Sequence, residues 1–293
     1  VIGVSEFSDD EYLVMLTQGG FVKKTALSAF SRIRTNGLIA ISLADGDELR
    51  WVRRARAEDS ILIGSQRGMT IHFKTDHNQL RPLGRPTKGV KAMSLRDGDQ
   101  LISMDILPSQ IVEEVEGAAT DDDDDVANAD QGPWVLVVSS GGLGKRVPVA
   151  NFRLQNRAGM GLVAMKFRKK DDDLVALRIA GPDDELMIVT NRGIIMRQAV
   201  DAISVQSRMA TGVQLQRLDS DDAIAAVALV PHLDDDENDM PSDEVAEAVA
   251  EVVADTQVVS EIEEAATEEA TENGTPTEES DVVAPADASE EPS

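Results

Sequence analysis

Short apolar runs separated by turn residues recur along the first 232 residues. In the first copy the runs are residues 12–16, 21–22, 38–43 and 49–52, with a glycine turn, an arginine-containing loop and an acidic turn between them. Runs this short, bounded by Gly, Asp and Asn, are typical of antiparallel strands rather than of helices. The pattern therefore predicts an all-β fold built from four-stranded units, each of them a meander.

Two glycines mark four copies of the unit. The first lies in the turn between the first two runs, and the second ends the basic loop 17, 21, 19 and 19 residues later. Successive turn glycines are 48, 74 and 51 residues apart, and the long interval falls to 48 without residues 108–133. A period near 50 predicts a propeller-like array of about four blades, in which neighbours cover each other's faces. The turn glycines are Gly20, Gly68, Gly142 and Gly193, and the loop glycines are Gly37, Gly89, Gly161 and Gly212.

This alignment divides the chain into five segments. We assign residues 1–11 to the end of a preceding blade, 12–107 to two blades, 108–133 to an acidic insertion, 134–232 to two further blades and 233–293 to a disordered acidic tail. The tail has too few apolar residues to offset the entropy cost of ordering it. Because the chain begins without Met and residues 1–6 resemble a closing strand, we expect a fragment of a longer protein.

The formal net charge of -26 is concentrated in two of these segments. Residues 233–293 contain 22 acidic residues and residues 108–133 contain 9, and neither segment contains Lys or Arg. The rest of the chain holds 28 basic and 23 acidic residues, a net charge of +5. A basic body with acidic appendages predicts a polyanion-binding surface and tethered competitors for it.

Basic residues recur just after the turn glycine and in the loop before the second glycine. If the units stack as blades, these charges form a band that contacts duplex phosphates without reading the base sequence. They could instead keep strand edges soluble, and the loop glycines could either admit a phosphate to the backbone or only relieve strain in a turn. The candidate DNA-binding residues are Lys23, Lys24, Arg32, Arg34, Lys74, Arg81, Arg85, Lys88, Lys145, Arg146, Arg153, Arg157, Arg197 and Arg208.

Residues 21–49 and 145–166 each resemble a blade of the C-terminal domain of the gyrase A protein, from the type IIA DNA topoisomerase family. The resemblance implies a β-pinwheel, here part of a six-bladed disc, whose basic rim wraps double-stranded DNA and presents it to the cleavage core. It also implies a cytoplasmic A2B2 holoenzyme of DNA gyrase, in which a second gyrase A chain and the gyrase B chains are partners and which uses ATP and Mg²⁺ for negative supercoiling. The catalytic residues and cofactor sites of such an enzyme are expected outside this chain.

The same family carries a wrapping loop that reads Gln-basic-Arg-Gly-Gly-basic-Gly on its first blade. Residues 155–161, QNRAGMG, resemble it and retain Gln155, Arg157, Gly159 and Gly161. The departures at the other three positions remove two basic side chains and one glycine. We therefore interpret this loop as a degenerate relative in a later blade, with the wrapping loop itself expected upstream.

The residues give weaker support to other functions. The related topoisomerase IV has a similar domain in the chain that corresponds to gyrase A, and a protein-binding propeller would expose aromatic residues, which make up only 3% of this chain. Tyr12 lies in an apolar run and is expected in the core rather than at a cleavage site. His72 and His77 lack further patterned metal ligands, and the absence of Cys excludes thiolate sites. The longest apolar stretches are too short to span a bilayer, so no membrane partner is expected.

Overall fold

The computed structural model describes residues 2–4, 6–111 and 132–231, and these form an almost entirely β structure. Residues 112–131 of the predicted insertion and the whole predicted tail lie outside the described residues. No helix in the described part is long and apolar enough to cross a membrane. The strands are β1 (Glu11–Thr17), β2 (Phe21–Ala26), β3 (Leu49–Arg56), β4 (Ser60–Ser65), β5 (Met69–Lys74), β6 (Val90–Lys91), β7 (Leu101–Leu107), β8 (Trp134–Ser139), β9 (Leu143–Pro148), β10 (Leu162–Val163), β11 (Leu174–Ala180), β12 (Asp184–Thr190), β13 (Ile195–Ala199), β14 (Val213–Gln214) and β15 (Ile224–Pro231). Short 3₁₀ turns follow β2, β9 and β13 at Leu27–Phe30, Val149–Asn151 and Val200–Ala202.

The strands form four antiparallel sheets, one for each predicted unit, so the propeller-like all-β prediction is confirmed. The strand orders are β3-β1-β2-β6, β10-β5-β4-β7, β11-β8-β9-β14 and β13-β12-β15. The prediction that each unit forms its own meander is wrong. Three strands of each sheet come from one unit, while the fourth strand of the first three sheets comes from the next unit along the chain. We call these exchanged strands, β6, β10 and β14, the arms.

The first unit shows what happens to an arm without a partner. The apolar run at residues 38–43 is predicted to be a strand, but it forms none. Its equivalents in the later units each pair with the preceding sheet, and the described residues contain no sheet before the first. A strand needs a partner for its backbone groups, so this run, which we call the first arm, stays without regular structure.

The core lies between consecutive sheets, because alternate residues of each strand point to opposite faces. In β4, Ile61 and Ile63 pack against the first unit, whereas Leu62 packs against the third. In β8, Val137 faces the second unit and Leu136 faces the fourth. Each inner sheet is therefore buried on both faces, which confirms the prediction that neighbouring units cover each other's faces. Tyr12 is 8% exposed, in agreement with its predicted core position.

The acidic turn of each unit caps the glycine turn of the same unit. A carboxylate before the last strand accepts a hydrogen bond from a backbone N–H between the first two strands, which would otherwise have no partner. Two of the acidic turns have the sequence Asp-Gly-Asp, at residues 45–47 and 97–99, and their glycines, Gly46 and Gly98, have φ of 71° and 70°. The four pairs are Asp47 with the Gly19 amide at 2.7 Å, Asp99 with Arg67 at 3.1 Å, Asp172 with Gly141 at 2.8 Å and Asp222 with Arg192 at 3.3 Å.

Candidate nucleic-acid interface

The basic loops of the second, third and fourth units are held on the preceding unit by backbone hydrogen bonds. In each case an amide of the loop donates to the carbonyl of the fourth residue after the turn glycine of the preceding unit. A basic loop is thereby positioned by a sheet that it does not belong to. The bonds run from Leu83 to Lys24 at 2.8 Å, from Gln155 to His72 at 2.7 Å and from Gln206 to Arg146 at 2.8 Å.

Two of the predicted DNA-binding lysines are buried beneath these loops. The Nζ of Lys145 donates to the carbonyl oxygens of Ser207 at 2.8 Å, Arg208 at 2.6 Å and Ala210 at 2.8 Å. An ammonium has three N–H donors, so these three carbonyls satisfy it completely. The side chain is fully buried, and burial lowers the pKa of Lys145 from 10.5 to about 7. This lysine fixes the loop of the next unit and has no surface to offer a phosphate.

Lys23 occupies the equivalent position in the first unit and does the same. Its Nζ donates to the carbonyls of Arg85 and Thr87 in the second unit and to that of Ala40 in the first arm. Lys23 is fully buried, and burial, together with the nearby charge of Arg85, lowers its pKa to about 8.

The basic side chain at the next position along the strand is also buried and also donates to a backbone carbonyl of the next unit. Lys24 donates to the Thr75 carbonyl with its Nζ 4.5 Å from the ring centre of Tyr12, and burial lowers its pKa. Arg146 donates from Nε to the Ile203 carbonyl at 2.6 Å and stacks on Trp134, with Cζ 4.2 Å from the ring centre. These two residues are removed from the candidate interface.

The sequence alignment treats Lys74 as the equivalent of Lys24 and Arg146 in the second unit. In the structure the equivalent residue is His72. The Nδ1 of His72 lies 2.6 Å from the Phe152 carbonyl and its Nε2 lies 2.7 Å from the Ser60 hydroxyl. Nδ1–H therefore donates to the carbonyl while Nε2 accepts from the hydroxyl, an assignment that follows from the hydrogen-bond network. The apparent recurrence of a basic residue in all four units is thus three basic residues and one histidine. The spacing from the turn glycine distinguishes the two residues. Lys24, Arg146 and Arg197 follow their turn glycines by four residues, and so does His72, whereas Lys74 follows Gly68 by six.

Two arginines of the basic loops bind the arms rather than solvent. Arg157 donates from Nε to the Gln79 carbonyl at 2.7 Å and from Nη1 to the Lys91 carbonyl at 3.1 Å. Arg208 is 6% exposed and donates from Nη1 to the Val163 carbonyl at 3.1 Å, and burial lowers its pKa. Lys91 and Val163 are equivalent residues of two successive arms. These arginines therefore secure the neighbouring arm; Arg208 is removed from the candidate set, and half-buried Arg157 contributes mainly to structure.

The remaining candidates are accessible to a ligand. Lys74 and Arg85 are half-buried, and Lys88 carries its Nζ 4.0 Å from the ring centre of Phe21. Of the exposed members, Arg197 lies on β13 and is paired with the Glu185 carboxylate, whereas the others lie on loops. The fully accessible candidates are Arg32, Arg34, Arg81, Lys88, Arg153 and Arg197.

An open cleft of about 450 Å³ brings two of these candidates together across a unit boundary. Lys74 from the second unit and Arg153 from the third both line it, with Gln155, Asn156 and one carboxylate, Asp76. With Gln79, which also lines it, the cleft holds two cations and three amide side chains, a set that suits an anionic group such as a phosphate. The cleft thus brings together two of the fourteen candidate cations.

The loop that resembles the wrapping loop is bonded along its length to the second unit. The Ala158 amide donates to the Ala92 carbonyl at 2.6 Å, and Ala158 has φ of 66°, the one positive value for a non-glycine in the described residues. A Cβ at Gly161 would lie 2.3 Å from the Thr70 carbonyl oxygen, whereas one at Gly159 would meet nothing closer than 3.6 Å. Gly161 is therefore required by packing against β5, and Met160 points outward with 51% exposure.

A second series of exposed basic residues, not predicted above, lies between the second glycine and the last strand of three units. Aligning the units on the second glycine would have found it, because it recurs in the second, third and fourth units. The first unit has no Lys or Arg between its second glycine and its last strand. The series comprises Lys91, Arg96, Lys166, Arg168, Lys169, Lys170 and Arg217.

A family model for the DNA gyrase C-terminal domain, described as a beta-propeller, matches residues 11–56, 59–108, 133–180 and 184–231. These four segments make up more than half of the chain, and each spans the three strands that one unit contributes to its own sheet. The chain belongs to this family. The resemblance to the gyrase C-terminal domain seen in the sequence is thereby confirmed.

Similar proteins carry the gyrase name. The chain is 61% identical over 247 residues to the gyrase A protein of Synechocystis, a match that covers 81% of this chain and 29% of that protein. It is 39% identical over 247 residues to the chloroplastic/mitochondrial gyrase A protein of Arabidopsis thaliana, covering 82% of this chain and 26% of that protein. The chain thus spans less than a third of the length of these curated relatives.

Two solved structures share the fold of the gyrase C-terminal domain family. The C-terminal domain of DNA topoisomerase IV matches with a TM-score of 0.66 at 20% identity, over 78% of this chain and 65% of that one. A DNA gyrase A C-terminal domain matches with a TM-score of 0.61 at 24% identity, over 77% of this chain and 68% of that one. At such identities the likeness is one of fold.

Proposed function

We propose that this chain binds and bends double-stranded DNA as the C-terminal domain of a gyrase A protein. The observation that carries the proposal is the family match across all four units together with 61% identity to a gyrase A protein. In this role the domain presents a wrapped duplex to a cleavage core outside the chain, in a cytoplasmic A2B2 enzyme that uses ATP and Mg²⁺. The topoisomerase IV alternative has less support, since the curated relatives named above, at 61% and 39% identity, are gyrase A proteins.

The exposed basic residues are the proposed contacts with the DNA backbone. Contacts to phosphates position a duplex without reading its sequence. Most of the surviving candidates are side chains on loops, while Lys74 ends β5 and Arg197 lies on β13. Bending a site of about 20 to 30 base pairs costs on the order of 1 to 6 kcal/mol. Charges repeated on successive units can offset that cost because each unit adds its own phosphate contacts. Arg81, Arg153 and the cleft at Lys74 form the best-defined part of this surface.

Salt-dependent binding to short and long duplexes tests the proposal. The logarithm of affinity falls with the logarithm of salt concentration with a slope of about 0.9 for each neutralised phosphate. We expect a steep slope that is larger for a duplex of about 150 base pairs, one persistence length, than for one of about 20. Failure of the folded chain to bind either duplex at low salt would contradict the proposal.

A matched pair of variants locates the contacts. The double variant Arg81→Gln/Arg153→Gln should reduce the slope by up to about 1.8, or 0.9 for each lost phosphate contact. Arg54→Gln is the control, because Arg54 is exposed but paired with Glu11 at 2.5 Å and lies outside the candidate set. An effect of Arg54→Gln half as large as that of the double variant, and so the same for each charge removed, would mean that binding depends on net charge alone rather than on the loops.

A further inference from the structure

The residue just before the loop glycine is apolar in one unit and polar in the other three. In the third unit it is Met160, whose side chain is 51% exposed. A single exposed apolar side chain is common on protein surfaces, but the loop around Met160 is built to hold it in one position. The equivalent residues of the other units are Asn36, Lys88 and Thr211.

The two residues before Met160 are bonded to the second unit. Ala158 donates from its amide to the Ala92 carbonyl at 2.6 Å. Its own carbonyl accepts from the Ser94 hydroxyl at 2.8 Å. The Gly159 carbonyl accepts from the Ser94 amide, also at 2.8 Å. The backbone that leads into Met160 is therefore fixed by three hydrogen bonds.

The backbone around Met160 is further restrained by its conformation and packing. Ala158 has φ of 66°, a left-handed value that alanine rarely adopts. Residues held in such conformations persist only where their surroundings fix them, and they cluster at binding sites. After Met160, Gly161 packs so closely on Thr70 that a Cβ would lie 2.3 Å from the Thr70 carbonyl oxygen. The direction of the Met160 side chain is thus set before a ligand binds, which lowers the entropy cost of binding.

The loop of the third unit follows β5 from the cleft to Met160. Its Gln155 lines the cleft beside Lys74, the last residue of β5. Its Gly161 packs on Thr70 of the same strand. Four residues of a strand span roughly 13 Å, close to four base-pair rises of about 3.4 Å. A phosphate in the cleft and a base step at Met160 can therefore belong to one stretch of duplex.

We propose that Met160 is an apolar wedge that packs against a base step in the minor groove of the bound duplex and adds a kink there. Proteins that bend DNA from the minor groove combine Arg, Lys, Asn and Gln side chains with an inserted apolar residue, and methionine is one of those used. The cleft supplies Lys74, Arg153 and three amide side chains. This role rests on the proposed binding of DNA and adds that the boundary between the second and third units kinks the duplex.

The surroundings of Met160 favour DNA over a protein surface as the occupant. The segment that holds the loop, at Ala92 and Ser94, also carries Lys91 and Arg96, and both of these are exposed. Met160 thus lies between the cations of this segment and those of the cleft. The buried centre of a protein–protein interface is depleted in charged residues, whereas a duplex offers phosphates on both sides of a groove.

The bend that the full chain imposes on a duplex of about 30 base pairs tests this role, measured by energy transfer between dyes at the two ends. Met160→Ala should reduce the bend by about 20° or more, the lower end of the kinks that wedges produce. It should leave the salt slope of binding unchanged, because no phosphate contact is lost. Met160→Leu keeps an apolar wedge and should retain the bend. The control, Ile194→Ala, should change neither quantity, since Ile194 is 50% exposed but lies outside the basic loops.

Met160→Lys separates a wedge from a phosphate contact. The added charge should steepen the salt slope by up to about 0.9, while the bend decreases. An undiminished bend in Met160→Lys, or an unchanged bend in Met160→Ala, would overturn the wedge and leave the proposed binding of DNA intact. Failure of the folded native chain to bind the duplex would overturn both together.

The fluorescence of 2-aminopurine, which rises when the base unstacks, gives an independent readout. The base is placed at TA steps spaced along the duplex, because these steps unstack easily. The native chain and Met160→Leu should both increase the fluorescence, and Met160→Ala and Met160→Lys should increase it less. Equal fluorescence with all four proteins would also overturn the wedge.

Discussion

Replacing two arm glycines by alanine tests how tightly an arm packs against the neighbouring sheet. The two glycines have the same left-handed backbone conformation, so the loss of stability can be compared between them. Gly161 and Gly37 have φ of 79° and 72°. An added Cβ lies 2.3 Å from the Thr70 carbonyl oxygen at position 161 and meets nothing within 4 Å at position 37. Gly37→Ala therefore reports the cost of left-handed backbone alone, and Gly161→Ala reports that cost plus the steric conflict.

The magnitudes follow from the contacts. A left-handed alanine costs roughly 1 to 2 kcal/mol in either variant. At position 161 the conflict is with backbone, so it is relieved only by moving the arm away from β5. That movement gives up the pairing of Leu162 and Val163 and the 2.8 Å bond from the Ala164 amide to the Gly68 carbonyl. At about 0.5 to 1.5 kcal/mol for each hydrogen bond, we expect Gly161→Ala to lose about 1 to 4 kcal/mol more than Gly37→Ala.

Urea unfolding at low protein concentration is the assay, followed by circular dichroism and by tryptophan fluorescence. The fluorescence is informative because Trp134 is 3% exposed and lies in β8 of the third unit. The denaturant slope must be compared as well, because a change in it signals altered cooperativity rather than altered stability. Equal losses for the two variants would refute the idea that the arm is tightly seated on β5.

Three further predictions concern charge. Lys145→Met should lower the free energy of unfolding by about 1 to 3 kcal/mol, the cost of leaving the buried Arg208 carbonyl without a donor, and should leave the salt slope of DNA binding unchanged. The exposed control, Lys166→Met, should leave the free energy of unfolding unchanged. A Lys145→Met variant of normal stability with a reduced salt slope would contradict the structural role of Lys145. Burial lowers the pKa of Lys145 to about 7, against 10.5 for an ordinary lysine. Between these two pH values the unfolded chain binds a proton that the folded chain has released, so the free energy of unfolding measured with urea should rise with pH. Lys145→Met should flatten this rise. Deletion of residues 233–293, with their 22 acidic residues, should tighten DNA binding most at low salt, and unchanged affinity in a binding titration would exclude the tail as a competitor.

The number of units and the positions of their turns could be predicted from the sequence because glycine spacing is a local signal. The partner of each strand could not. A two-residue arm such as Val90–Lys91 pairs with its own sheet or with the preceding one without any change in apolar pattern. The same limit explains the candidate site, where Lys23 and Lys24 looked like exposed edge residues. They are buried because a loop from the next unit covers them, and nothing in their immediate sequence indicates that loop.

The exchanged arms also impose an order on folding during synthesis. The partner of Val22 is Val90, and the partner of Gly144 is Val213. Each of the first three sheets therefore receives its fourth strand only after most of the following unit has been translated. During synthesis, one edge of each of these sheets therefore stays unpaired until most of the next unit has left the ribosome. Pairings this distant in sequence are slow to form, and an edge left open is a site for incorrect pairing. The rate of translation through each successive unit thus sets how long the unit before it remains incomplete.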